Sequence, residues 1–130
     1  MKYAKIVILE TAQEFVLKNE PKIEHIIGRK AQSKWARYPI ETNDRTVGRN
    51  HCKIEIKASD QGLIFLLTNL SSAKGDYRTV LKRKTKQMSI YPTDQVYLQD
   101  RDIIELGEKG LHIQFWEPVG HTITKPKYSK

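Results

Sequence analysis

The sequence predicts an all-β fold, a two-sheet antiparallel β-sandwich of about ten or eleven short strands, and three observations predict it. Apolar residues come in short runs that often alternate with polar ones. Turn-forming residues interrupt these runs every dozen positions or so, and no segment sustains the spacing of an amphipathic helix.

Taken in order, Tyr3 to Leu9 and Glu14 to Leu17 are rich in β-forming residues, and His25-Ile26-Ile27 runs straight into Gly28-Arg29. His51 to Lys57 sets Cys52, Ile54 and Ile56 on one face against His51, Lys53, Glu55 and Lys57 on the other, the alternation of a half-buried strand. Gly62 to Leu70 is apolar on both faces at its centre, which places it inside a sheet covered on each side. A turn follows at Ser71 to Asp76, where Gly75 supplies a position that tolerates positive φ. Later strands are expected at Tyr77 to Leu81, Met88 to Tyr91, Val96 to Leu98, Asp102 to Leu106 and Leu111 to Trp116. A sandwich of this kind presents its loops at the two ends, so function is expected there.

The 130 residues suit one domain, expected over 1–118, with a basic, mobile tail over 119–130. Hydrophobic residues make up 38% and charged residues 29%, enough to bury a core. The net charge of +8 favours an anionic partner and by itself suits phosphoprotein, nucleic acid or anionic lipid equally. The one cysteine, Cys52, rules out an internal disulfide framework, and MKYAKIVILETAQ lacks the apolar run of a signal peptide or membrane span. A cytoplasmic, reducing setting without membrane insertion is therefore expected.

Little in the sequence points to catalysis. It contains no GxxxxGK[ST], no HExxH and no GxSxG. His51 and Cys52 are neighbours on an apparent strand, so they point to opposite faces and cannot pair as imidazole and thiolate. The four histidines lack zinc-ligand spacing with Cys52, so neither metal nor other cofactor is expected.

Three loop segments carry the information. Gly28-Arg29 ends a strand, where a guanidinium can offer two parallel donors to a phosphate. Val47-Gly48-Arg49-Asn50-His51 is a polar loop opening the alternating strand, and Asn69-Leu70-Ser71-Ser72-Ala73-Lys74-Gly75-Asp76 is a turn. With Leu98 to Gly107 (LQDRDIIELG), they follow the order G-R, S-x-x-H, D-L-S-S-x-N-G-T, L-x-x-G-D-x-I-x-L-G. In that order and spacing the chain resembles the forkhead-associated (FHA) family, over roughly residues 3 to 117.

The resemblance implies an eleven-stranded sandwich of the FHA/SMAD type that binds a phosphothreonine peptide at one end and turns nothing over. It implies that Arg29 holds the phosphate, with Arg49, Asn50, Ala73 and Lys74 lining the peptide site. Gly28, Gly48, His51 and Gly75 would shape the loops, His51 from within, and Asp102 and Gly107 would be structural. The sequence departs from the pattern where Gly48 replaces a phosphate-binding serine, Lys74 an asparagine and Asp76 a threonine. Lysine only donates, so it cannot reproduce an amide's paired contacts. An FHA-like domain with a decayed phosphate site, binding an unmodified protein, is thus the alternative.

The expected partner is a phosphorylated threonine protein or peptide, with acidic flanks selected by neighbouring Lys and Arg. The basic run Arg78, Lys82, Arg83, Lys84 and Lys86, with Lys30, Lys34 and Arg37 around Trp35, supports a weaker nucleic-acid alternative. In that alternative Trp35 and Tyr38 stack on bases. Asn69-Leu70-Ser71 has the form of a glycosylation acceptor.

Overall fold

The computed structural model describes residues 3–18, 24–30, 38–60, 62–71 and 78–118, and eleven strands form among them. They are β1 (Ala4–Ile8), β2 (Gln13–Leu17), β3 (His25–Arg29), β4 (Tyr38–Ile40), β5 (Cys52–Ser59) and β6 (Gly62–Asn69). β7 (Thr79–Arg83), β8 (Lys86–Ser89), β9 (Gln95–Tyr97), β10 (Ile103–Leu106) and β11 (Leu111–Trp116) complete the chain. The expected tail lies outside the described residues.

One sheet has six strands in the order β2-β1-β11-β10-β7-β8, and the other has five in the order β4-β3-β5-β6-β9. Neighbouring strands are antiparallel except β3 and β4, which pair in parallel with Ile27 opposite Tyr38 and Arg29 opposite Ile40. Sequence reasoning missed β4 because three residues with Pro39 at the centre show no alternation. Pro39 fits because β4 is an edge strand. β8 also begins two residues before the expected Met88.

Alternation fixes the core. Ala4, Ile6 and Ile8 of β1 and Leu111, Ile113 and Phe115 of β11 face inward, across from Ile54, Phe65 and Leu67 of the other sheet. Phe65 and Phe115 meet between the sheets with ring centroids 5.0 Å apart. Each such side chain contributes about 1.5 to 3 kcal/mol through burial. β6 lies inside its sheet between β5 and β9, as its apolar centre predicts.

Register gathers the loops at one end. Cys52 opens β5 opposite Ile27 of β3 and Asn69 at the close of β6, while Thr79 opens β7 opposite Leu106 at the close of β10. The β1–β2, β4–β5, β6–β7, β8–β9 and β10–β11 connections therefore share this end.

Candidate functional site at the loop end

Gly28 is buried directly beneath the β4–β5 loop. A Cβ there would lie 1.8 Å from the Arg49 carbonyl oxygen and 2.8 Å from that of Gly48, so only glycine lets the loop settle on β3. The reason is close approach. Two bonds then seat Arg29 against the loop: its backbone N–H donates to the Gly48 carbonyl at 2.9 Å, and its Nε donates to the Val47 carbonyl at 3.0 Å. Val47 is fully buried, so the Nε contact anchors the guanidinium on a fixed backbone. The side chain stays partly exposed, and among the described residues no carboxylate pairs with it.

His51 supports the loop from inside. It precedes β5 and is fully buried, which corrects its placement on the polar face of that strand. Nδ1 accepts from the Gly48 N–H at 2.9 Å, so Nε2 carries the proton and donates to Thr79 Oγ1 at 2.9 Å, with the Arg78 carbonyl at 3.1 Å. Burial pushes its pKa down to about 4, and the ring is neutral at physiological pH. One imidazole thus ties the loop to the start of β7.

A second support went unnoticed in the sequence. Asp44, nearly buried, accepts from the backbone and hydroxyl of Thr46 and from the Lys109 N–H at 3.1 Å. Burial alone would raise this carboxyl, but those bonds and the Lys109 charge hold it below the usual range. Thr46 Oγ1 in turn accepts from the Glu108 N–H at 2.7 Å. Gly107, at φ +77, fits against this turn, where a Cβ would come within 2.8 Å of Asp44 Oδ2 and Thr46 Oγ1. The signal was the Asp-x-Thr spacing of a side-chain turn.

Asn69 does the same for the β6–β7 loop. Its side-chain oxygen accepts from the backbone and hydroxyl of Ser71 at 2.9 and 2.6 Å, and its amide donates to the Ile90 carbonyl at 2.6 Å. Only 1% exposed, it is no glycan acceptor in the folded chain. The expected site residues thus divide in three: Arg29, Gly48, Arg49 and Asn50 stand together, with Arg49 and Asn50 exposed. Gly28 and His51 lie beneath them. Ala73, Lys74 and Gly75 fall outside the described residues.

The basic stripe is broken up. Arg83 forms a two-pronged ion pair with buried Asp102, at 2.9 Å from Nε and 2.8 Å from Nη2, and donates to the Tyr97 carbonyl. Lys82 pairs with Glu105 and Lys30 with Glu41. Tyr38 is buried in β4, its hydroxyl 2.8 Å from His25 Nδ1, and cannot stack on a base. Trp35, Lys34 and Arg37 lie outside the described residues. Cys52 is buried, its thiol pushed up to about 12, so it is no nucleophile. Among the described residues no cluster of three or more His, Cys, Asp or Glu could hold a metal, and no helix is long and apolar enough to cross a membrane.

The sequence matches the family profile of the FHA domain over residues 25–107. The chain belongs to the FHA domain family. Solved FHA domains share its fold at low identity. An Arabidopsis thaliana hypothetical protein's FHA domain is 22% identical with a TM-score of 0.63, over 98% of this chain and 91% of that one. The human APLF FHA domain, solved with an XRCC1 bisphospho peptide, is 14% identical with a TM-score of 0.65, over 88% and 98%. The MEK1 FHA domain, solved with a phosphothreonine peptide of HOP1, is 14% identical with a TM-score of 0.62, over 90% and 98%. No curated protein matches by sequence. In this FHA domain Asp102 and Gly107 have the structural roles that the resemblance implies, at a buried ion pair and a left-handed turn.

Proposed function

We propose that the loop end of this FHA domain binds a phosphorylated threonine in a partner protein and acts as a non-enzymatic adaptor inside the cell. The observation that carries this reading is Arg29, fixed through Nε and its backbone N–H while no carboxylate among the described residues neutralises it. A guanidinium held in this way meets a phosphate with little loss of freedom, and each charge-assisted bond contributes about 1.5 to 3 kcal/mol. Two related FHA folds, those of APLF and MEK1, were solved holding phosphopeptides, which supports the same use here.

Gly48 brings no hydroxyl, and its backbone groups are already taken by Arg29 and His51. The exposed Arg49 and Asn50 stand next in the loop, and in this reading their backbone N–H groups and the Arg49 guanidinium supply the missing donors. Ala73 and Lys74 complete the site by family resemblance. Arg45 and Arg49, exposed and free of ion pairs among the described residues, favour acidic flanks. The absent Gly48 hydroxyl also favours the second reading, a domain that binds an unmodified partner.

A degenerate phosphothreonine peptide library, measured beside its unphosphorylated twin, separates the two. Phosphate-dependent binding is expected, weakened at least about 20-fold by Arg29→Ala. Equal binding of both libraries, unchanged by Arg29→Ala, favours the unmodified partner.

A further inference from the structure

Once Lys82 and Arg83 have found their carboxylates, the basic run leaves Lys84 and Lys86, both exposed and without an ion pair among the described residues. Lys84 lies in the turn that enters β8 and Lys86 opens that strand, which is an edge of the six-stranded sheet. All four residues of β8 are exposed. A free sheet edge is a template on which another strand can pair.

The register shows which backbone groups are open. The Ile90 N–H donates to the Thr79 carbonyl at 2.8 Å, so these residues form a hydrogen-bonded pair just past the end of β8. Bonded and non-bonded pairs alternate along an antiparallel ladder. Met88 and Lys86 therefore turn their backbone groups toward β7, while Gln87, opposite Lys82, and Ser89, opposite Val80, turn theirs to the free edge. Met88 lies opposite the core residue Leu81, so its side chain faces the other sheet, yet it is 45% exposed. The sandwich is open there. Toward the hairpin tip Arg83 closes the gap, donating to the Tyr97 carbonyl of β9 while buried Asp102 neutralises its charge.

We propose that the β8 edge takes an extended acidic segment of a partner protein as an added antiparallel strand. The backbone groups of Gln87 and Ser89 form the new ladder. Residues opposite Met88 and Lys86 then occupy its close, non-bonded pairs, with Cα atoms about 4.5 Å apart and side chains on one face. An apolar side chain opposite Met88 covers it, and a carboxylate opposite Lys86 meets a lysine that no described residue neutralises. The antiparallel direction, shared by the pairs of this sheet, places the apolar residue first and the acidic one two positions later. A second copy of the chain fits this edge poorly, because it brings the same lysines and its own +8 charge to a surface already positive. The site needs neither Arg29 nor a phosphate and does not rest on the phosphothreonine reading.

The test is selection from a displayed library of random unphosphorylated peptides, read with the wild-type chain, Gln87→Pro, Lys86→Glu and Arg29→Ala. The wild type is expected to select an apolar residue followed two positions later by Asp or Glu, and the selected peptide slows amide exchange at Gln87 and Ser89. Proline at an outward N–H of an edge strand spares the β7–β8 ladder and removes a donor from the new one. Gln87→Pro therefore weakens the selected peptide at least about tenfold with an unchanged Tm. Lys86→Glu, which alters no backbone group, exchanges the acidic preference for Lys or Arg. Should Gln87→Pro lower the Tm, that exchange of preference and the Gln87 amide decide. Absence of the pattern in the selected peptides, or a selected peptide that leaves exchange at Gln87 and Ser89 unchanged, overturns the added strand. Loss of binding in Arg29→Ala assigns the peptide to the loop end and overturns it as well. Concentration-dependent dimerisation that Gln87→Pro abolishes gives the edge to a second copy and also overturns it. None of these results touches the phosphothreonine reading.

Discussion

His51 has no contact with solvent, yet it sets the height of the β4–β5 loop by accepting from Gly48 and donating to Thr79. Its pKa falls from 6.5 to about 4 on folding because burial disfavours the charged ring. The unfolded chain therefore takes up this proton first as pH falls. Stability from His51 is complete above pH 6.5 and declines toward pH 4 at up to about 1.4 kcal/mol per pH unit. Protonation also puts a hydrogen on Nδ1 against the Gly48 N–H and frees the loop. Urea unfolding at pH 7 and pH 4.5 is expected to show a loss of about 2 to 3 kcal/mol that is absent in His51→Gln. Equal losses in the two proteins remove His51 as the cause. The histidine was visible in the sequence as part of a loop pattern, but its burial was not: residue alternation put it on the polar face. Arg83 was misjudged in the same way, since its partner Asp102 is brought to it only by the β7–β10 pairing.

Individual strands were legible wherever alternation ran for five residues or more, as in β1, β5 and β11. β4 was not, because Pro39 breaks its three residues and its pairing with β3 is set by tertiary contact. Tyr38 was read as an exposed loop aromatic for that reason, although it packs edge-on against Phe15 with centroids 5.4 Å apart. The seating of the β4–β5 loop on β3 is the contact between elements that matters most. Gly28→Ala places a methyl group 1.8 Å from the Arg49 oxygen, so loop and strand must part. A stability loss of about 2 to 3 kcal/mol is expected, with the Arg29 N–H to Gly48 carbonyl bond broken. Thermal unfolding checks the first, and faster amide exchange at Arg29 the second. An unchanged Tm contradicts the close seating.

The whole molecule is a rigid sandwich that gathers five connections at one end, and its charge acts there as a field. Folding sorts the +8 excess of the sequence: Lys82 and Arg83 serve ion pairs on the sheet, while Arg29, Arg45 and Arg49 stand at the loop end without carboxylate partners among the described residues. Composition could show the excess but not this division. The central claim is that a phosphothreonine peptide meets the protein at this end through Arg29. Amide NMR shifts during titration with a phosphothreonine peptide selected from the library test it most directly. Saturable changes are expected at Arg29, Gly48, Arg49, Asn50 and Ser71, absent with the unphosphorylated peptide. Changes centred instead on Lys84 and Lys86 of the β7–β8 hairpin, or equal changes with both peptides, would contradict it.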